Sequence, residues 1–180
     1  MPEAKQDFGA RLIAWHEAHG RKDLPWQRQV SAYRVWVSEI MLQQTQVSTV
    51  IPYFERFVQQ FPSIQALADA SLDEVLHYWS GLGYYARARN LHQAARMIQR
   101  QHRGCFPQAL DQAQALPGIG RSTAGAILAL VYHQPQPILD GNVKRVITRH
   151  RLIQGWPGQA KVAARLWRMA QTLKIGRAHV

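Results

Sequence analysis

The chain has 180 residues, room for one domain or two small lobes, and a hydrophobic share of 47% that is ample for a core. Lys and Arg number 22 against 11 Asp and Glu, a formal charge of +11, mostly from Arg, which suits forked contacts to a polyanion and to nucleic acid above all. One cysteine, Cys105, excludes a disulfide framework or a cysteine-ligated cluster within the chain, no apolar run reaches the roughly 18 residues of a membrane span, and no signal-peptide layout opens it, so a cytoplasmic protein of bacterial type without membrane contact is expected.

Residues 5–18 carry Phe8, Leu12 and Trp15 at helical spacing, which predicts an amphipathic helix. His19 to Val30 reads as a loop, broken by Pro25 and loaded with Arg21, Lys22 and Arg28. Trp26 within it either covers a core edge or stacks on a base. Ser31 is placed to cap a helix running to about Gln43, with Val35, Trp36, Ile40 and Met41 as its apolar positions. Glu39 falls among them. A carboxylate there is expensive unless it is paired or protonated. Burial raises its pKa, which is what a general acid near neutral pH needs; a Glu paired with Arg34 or with solvent is the alternative. Gln43-Gln44-Thr45-Gln46 is a run of uncharged hydrogen-bonders at the helix end. Amides donate and accept, so they suit base edges or the place of an extruded base, and they are also ordinary on surfaces. Thr45 is placed to cap the next helix, which carries Val50, Phe54, Phe57 and Phe61 and which Pro52 can kink.

Ser63 and Ser71 open two short helices, and Ser71 to Glu74 has capping-box spacing. In the glycine turn Gly81-Leu82-Gly83-Tyr84-Tyr85, Leu82 and Tyr84 either wedge into a base stack or dock the turn on the core. A basic helix follows, with Arg87, Arg89, Arg96 and Arg100 set against Leu91, Ala95 and Ile98, and ends at Gly104. A short helix over Ala109 to Ala115 leads into Leu116-Pro117-Gly118-Ile119-Gly120-Arg121-Ser122-Thr123-Ala124. Gly118 and Gly120 leave this turn bare, so its backbone N–H groups, and those opening the helix from Ser122 to Tyr132, can meet a DNA phosphate directly. A structural helical hairpin is the alternative. The small residues Ala124, Gly125, Ala126 and Ala129 let a neighbour approach closely. A Pro-rich loop then ends in a lone carboxylate, Asp140, 22 residues beyond Gly118. Asn142 to Ile153, rich in Lys144, Arg145, Arg149 and Arg151, and Gln159 to Leu173 read as helices on either side of Gly155-Trp156-Pro157-Gly158. No strand-period segment and no solenoid repeat occurs, so the class is all-α, with about ten short helices.

Three stretches carry a resemblance to a known family: Val37-Ser38-Glu39-Ile40-Met41-Leu42-Gln43-Gln44-Thr45-Gln46-Val47, Gly81 to Leu91, and Ile138-Leu139-Asp140-Gly141-Asn142-Val143-Lys144-Arg145-Val146. With the Gly-x-Gly hairpin they resemble the helix–hairpin–helix DNA glycosylase superfamily, and within it the adenine DNA glycosylases of the MutY type, from about residue 5 to 173. The resemblance implies a two-lobed fold with the active site between the lobes. Residues 25–134 would form a six-helix lobe with the hairpin, and residues 1–24 with 135–174 the second lobe. It implies a monomer that binds duplex DNA and excises adenine mispaired with 8-oxoguanine or guanine. Glu39 would protonate the flipped adenine at N7 and then help activate water. Asp140 would stabilise the oxocarbenium-like sugar or bond to it transiently, with Asn142 holding both. Trp26 would belong to the adenine pocket. Gln43, Gln44, Thr45, Leu82 and Tyr84 would meet the mispair, and Gly118, Gly120, Ser122 and Lys144 the DNA. Relatives that also cut the strand carry a Lys two residues after the second hairpin glycine. Ser122 stands there and cannot form a Schiff base, which implies a monofunctional glycosylase. A bifunctional pyrimidine-lesion glycosylase and lyase of the endonuclease III kind, and a DNA-binding hairpin without catalysis, are the other readings.

The family continues past residue 173, with four cysteines for a [4Fe-4S] cluster and then a domain that helps to recognise 8-oxoguanine. The cluster ligands are missing from this chain, so the second lobe is expected to be incomplete. Ile175-Gly176-Arg177-Ala178-His179-Val180 matches one reading frame of a common sequencing-adapter oligonucleotide, and a foreign tail on a truncated gene is expected there.

Overall fold

The computed structural model describes residues 8–173, so the expectation for residues 175–180 lies outside it. Eleven helices and no strand occur among the described residues: α1 (Phe8–His19), α2 (Pro25–Arg28), α3 (Ala32–Leu42), α4 (Val47–Gln60), α5 (Ile64–Asp69), α6 (Leu72–Trp79), α7 (Ala86–His102), α8 (Leu110–Gln114), α9 (Arg121–Tyr132), α10 (Gly141–His150) and α11 (Ala160–Thr172). The all-α reading of the sequence holds.

Helix starts follow local chemistry. The hydroxyls of Ser31, Ser63 and Ser71 accept the N–H groups of Arg34, Ala66 and Glu74 at 3.2, 3.1 and 3.2 Å. Each satisfies a donor that the first turn leaves unpaired. The box at Ser71 is only half made, because Gln60 Nε2 donates to Glu74 Oε1 at 2.8 Å and draws that side chain away. Thr45 does not cap α4. Its hydroxyl donates back to the Gln43 carbonyl at 3.4 Å, and Gln46 takes the cap position without a side-chain bond. The expected loop around Trp26 contains a helical turn, α2, with Pro25 in its first positions, where a missing N–H costs nothing.

Two apolar cores result. The larger draws on α2 to α9 and holds Trp36, Phe54, Phe57, Leu67, Trp79 and Ile98 with no solvent contact. Each such side chain contributes about 1.5–3 kcal/mol relative to exposure. Its aromatic rings meet edge to face, as where Phe57 and Trp79 lie 5.7 Å apart at 84°. α3 runs through this core and packs on α4 and α9, with Trp36, Val37 and Met41 fully buried. The smaller core joins Leu139, Ile147, Ile153, Leu166 and Ala170 across α10 and α11. The apolar spacing of α1 does not lead to burial. None of its residues is buried, Trp15 is 59% exposed, and Phe8 stacks on His150 of α10 with centroids 4.3 Å apart.

Candidate active site

Glu39 sits in the last turns of α3, between the buried Ser38 and Ile40. Its carboxyl is raised from 4.5 to about 7, first by burial and then by the charge of Asp140. The alternative pairing with Arg34 does not form. Arg34 donates to the Pro25 carbonyl at 3.0 Å and lies over the Phe54 ring, 5.1 Å from its centroid. Burial thus moves Glu39 toward keeping a proton near neutral pH, which is the condition of a group that donates one.

Asp140 is the opposite case. It is exposed and stands as the N-cap of α10, where its Oδ1 accepts the Val143 N–H at 2.7 Å. The cap bond fixes one of its carboxyl oxygens at the N-terminal end of α10. The pair thus has one carboxyl raised by burial and one exposed and tied to a helix start, brought close enough to interact although 101 positions apart.

The loop that delivers Asp140 is fixed on α9. The Ser122 hydroxyl accepts the Leu139 N–H at 3.0 Å. One turn further on, Gly125 is buried under the same loop. A Cβ there would lie 3.1 Å from the Pro137 carbonyl and 3.4 Å from Gln136 Cβ. Of the small residues of α9, Gly125 serves this close approach. Ser122 was read from the sequence as a residue that excludes a lysine nucleophile and meets the DNA; its hydroxyl also anchors the chain next to Asp140.

The hairpin lies between α8 and α9. Gly118 has a φ of +77°, and a Cβ on it would lie 2.9 Å from Asn90 Cβ of α7, so two constraints require glycine. Gly120 has ordinary extended angles, φ −83° and ψ 172°, and open space where a Cβ would be. Both are exposed, and the first turn of α9 opens beside them with its N–H groups free of intrahelical partners.

The other expected contacts divide. Gln44 and Tyr84 are exposed, and Tyr84 is 61% so. Gln43 and Thr45 are half-buried. Leu82 is a core residue at 5% exposure and docks the glycine turn, whereas Tyr84 stands clear of the core. Trp26 likewise takes the core position, edge-on to Phe54 with centroids 5.3 Å apart. Asn142 is exposed, and its Oδ1 accepts from Arg145 Nη2. Lys144 lies half-buried in α10, against a cleft that also holds Arg145, Arg149 and Trp156.

Residues 37–172 match the HhH-GPD superfamily of base excision DNA repair proteins. The chain belongs to that superfamily. It is 48% identical over 169 residues to the adenine DNA glycosylase of Buchnera aphidicola subsp. Acyrthosiphon pisum, a match covering 94% of this chain and 48% of that protein. It is 44% identical over 175 residues to the adenine DNA glycosylase of Homo sapiens, covering 92% of this chain and 32% of that protein. The chain thus spans about half or less of the length of these relatives. A solved thermostable thymine-DNA glycosylase shares the fold at a TM-score of 0.82 and 22% identity, covering 94% of this chain and 82% of its own.

For this HhH-GPD chain the iron–sulfur cluster implied by family resemblance finds no fit. Such a cluster takes four cysteine thiolates. The chain holds one cysteine, exposed Cys105 between α7 and α8 in the larger core's half. No group of three or more His, Cys, Asp or Glu among the described residues is arranged to hold a metal ion. No helix among them is long and apolar enough to cross a membrane. One residue of the site escaped the sequence reading altogether. Arg87, read with Arg89, Arg96 and Arg100 as part of the basic side of α7, is 8% exposed, and its guanidinium donates to the carbonyls of Gln43 and Gly83.

Proposed function

We propose that this chain is the glycosylase portion of an enzyme that hydrolyses the N-glycosidic bond of adenine mispaired with 8-oxoguanine or guanine in duplex DNA. The observation that carries the reading is the unlike carboxyl pair, Glu39 with its pKa raised by burial and Asp140 exposed and capping a helix. The adenine DNA glycosylases among its relatives support the choice of base. The flipped adenine takes the Glu39 proton at N7, and the bond from C1′ to N9 breaks with its electron pair going to the base. The Asp140 carboxylate faces the positive charge left on the sugar. Glu39, now ionised, takes a proton from the water that attacks C1′, so free adenine and an abasic site result and the acid is restored. Asn142 and Lys144 lie on α10 beside Asp140 and face the sugar and its phosphates. Gly118, Gly120 and the start of α9 take the DNA backbone, for which the charge of +11 is suited. The two apolar cores serve as two lobes, of residues 25–134 and of residues 135–174 with the N-terminal helix, and the DNA binds across them. Ser122 supplies no amine, so the strand stays intact.

The test is adenine release from a duplex with adenine opposite 8-oxoguanine. Wild type is expected to release it. Glu39→Gln and Asp140→Asn each lose at least about 10²-fold in rate while still binding the duplex. Asp140→Asn is the sharper variant, because Asn retains the helix cap. A borohydride-trapped covalent adduct on a pyrimidine lesion would replace this reading with the endonuclease III kind. Duplex binding by wild type without any adenine release, unchanged in Asp140→Asn, would replace it with a DNA-binding module.

A further inference from the structure

Arg87 is buried without a carboxylate partner. Its Nη1 donates to the carbonyls of Ile40, Met41 and Gln43 at 3.2, 2.7 and 2.5 Å, and its Nη2 to those of Leu82 and Gly83 at 3.3 and 3.2 Å. The guanidinium also lies 5.2 Å from the Tyr84 ring centroid and 5.5 Å from that of Trp79. A buried cation is costly to keep, and a packed apolar side chain would serve the core as well or better. What the guanidinium supplies instead is a fork that spans two separate chain segments. One is the C-terminus of α3, whose last carbonyls lack the usual donor four residues on, although that of Ile40 also takes the Gln43 N–H at 3.4 Å. The other is the glycine turn before α7.

Each segment carries a left-handed residue that is not glycine, Gln44 at φ +58° and Tyr84 at φ +50°. Each of these follows directly on a carbonyl held by Arg87, Gln43 in one case and Gly83 in the other. Such conformations cost free energy and persist only where the surroundings enforce them. Both residues are exposed. Gly83 is held a second time, by Trp79 Nε1 at 3.1 Å, and Gly81 leaves the room into which the Tyr53 hydroxyl fits.

We infer that Arg87 is a positioning residue that locks the Gln43–Gln46 and Gly81–Tyr85 loops into one register, so that Gln44 and Tyr84 act as a single reader of the base opposite the target. The inference rests on the proposed function and extends it from the chemistry to partner selectivity. Arg87 bonds the carbonyl of Ile40 but no bond reaches the Glu39 carboxyl, so it governs recognition and not the proton.

The experiment uses the whole chain as wild type, Arg87→Lys and Arg87→Met. It compares binding to a duplex with adenine opposite 8-oxoguanine and to the same duplex with adenine opposite thymine, together with the pH profile of single-turnover excision. Lys retains a charge and enough donors for one loop, and so keeps the fold if Met does not. We expect the affinity ratio to fall about tenfold or more in Arg87→Lys, with the pH midpoint of excision unmoved, because the lost interaction is one of recognition. Gln44→Ala should lower the ratio in wild type and add nothing in the Lys background, as members of one unit do. A merely structural Arg87 predicts equal loss of affinity for both duplexes, and that result, or an unchanged ratio in both variants, overturns the inference. A wild type that excises no adenine and prefers neither duplex overturns the functional reading and this one with it. A wild type that excises adenine while the variants keep its ratio overturns this one alone.

Discussion

Glu39 and Asp140 reach the same place from unlike neighbourhoods. Glu39 rides on a helix whose adjoining residues Trp36, Val37, Ile40 and Met41 are 0–2% exposed, within a core drawn from eight helices. Asp140 ends a surface loop, next to a core of five buried residues. The chemistry of the first is therefore set by desolvation, which the bulk of the larger core imposes. The chemistry of the second is set by position, which three local ties impose: Leu139 on Ser122, the loop on Gly125, and the cap to Val143. Damage to packing and damage to tethers should accordingly look different.

The largest contrast is between the cores. Phe57→Ala removes a fully buried ring that meets Phe61 and Trp79, and should cost about 3–5 kcal/mol in denaturant unfolding. Leu166→Ala, also fully buried, sits in the small core, which has less to lose by opening. We expect about 2–3 kcal/mol there, with amide exchange rising in α10 and α11 while α3 to α7 stay protected. Equal exchange throughout the chain in Leu166→Ala would show the two cores to be one cooperative unit.

A smaller effect has a sign that distinguishes Glu39 from an ordinary surface carboxylate. Its folded pKa is raised from 4.5 to about 7. Below pH 4.5 both folded and unfolded chains hold the proton and the group contributes nothing. As pH rises toward 7 the unfolded chain releases it first, and the folded chain becomes relatively less stable until it ionises as well. Glu39→Gln should therefore leave stability unchanged at pH 4 and raise it by about 1–3 kcal/mol at pH 8. Excision moves the same way for a different reason, falling above about pH 7 as the acid loses its proton. A flat stability difference across that range would remove desolvation as the cause of the shift.

Much of this was open to sequence reasoning where the cause is local. A hydroxyl just ahead of an apolar periodic run caps it, and Ser31, Ser63 and Ser71 all do. Thr45 failed the same rule because α4 starts one residue later, with Gln46 at the cap position, and the Thr45 hydroxyl donates back to the Gln43 carbonyl. Glu39 was legible as a carboxylate on an apolar face and Asp140 as a lone carboxylate after a Pro-rich loop, but only the family resemblance paired them, since nothing local brings positions 39 and 140 together. Arg87 was misread for want of one comparison. It lies four residues before Leu91, on the stripe continued by Ala94, Ala95 and Ile98, all buried. An arginine on the apolar stripe of an otherwise basic helix is the signal, and composition alone hides it. The helical spacing in α1 misled in the other direction, because amphipathic spacing says which face is apolar and not whether anything covers it.

The smallest expected change in stability tests the tether most directly. Ser122→Ala removes one hydroxyl that is half-buried and leaves the Leu139 N–H without its partner. That should cost about 1 kcal/mol, hardly more than a surface change. Its effect on the reaction should be out of proportion, because the same bond fixes the residue next to Asp140. A displacement of about 1 Å at a charge-stabilising group can cost up to 10²-fold in rate, and a loosened loop that still visits its position should cost about tenfold. The loss should fall on the single-turnover rate while duplex affinity and the pH midpoint near 7 stay as they were, since neither the hairpin nor Glu39 depends on that hydroxyl. Ser122→Thr keeps an acceptor at the same place and should recover most of the rate. If alanine and threonine behave alike, Asp140 is held by its cap and by Gly125 without help from Ser122, and the loop is better fixed than the thin core beside it suggests.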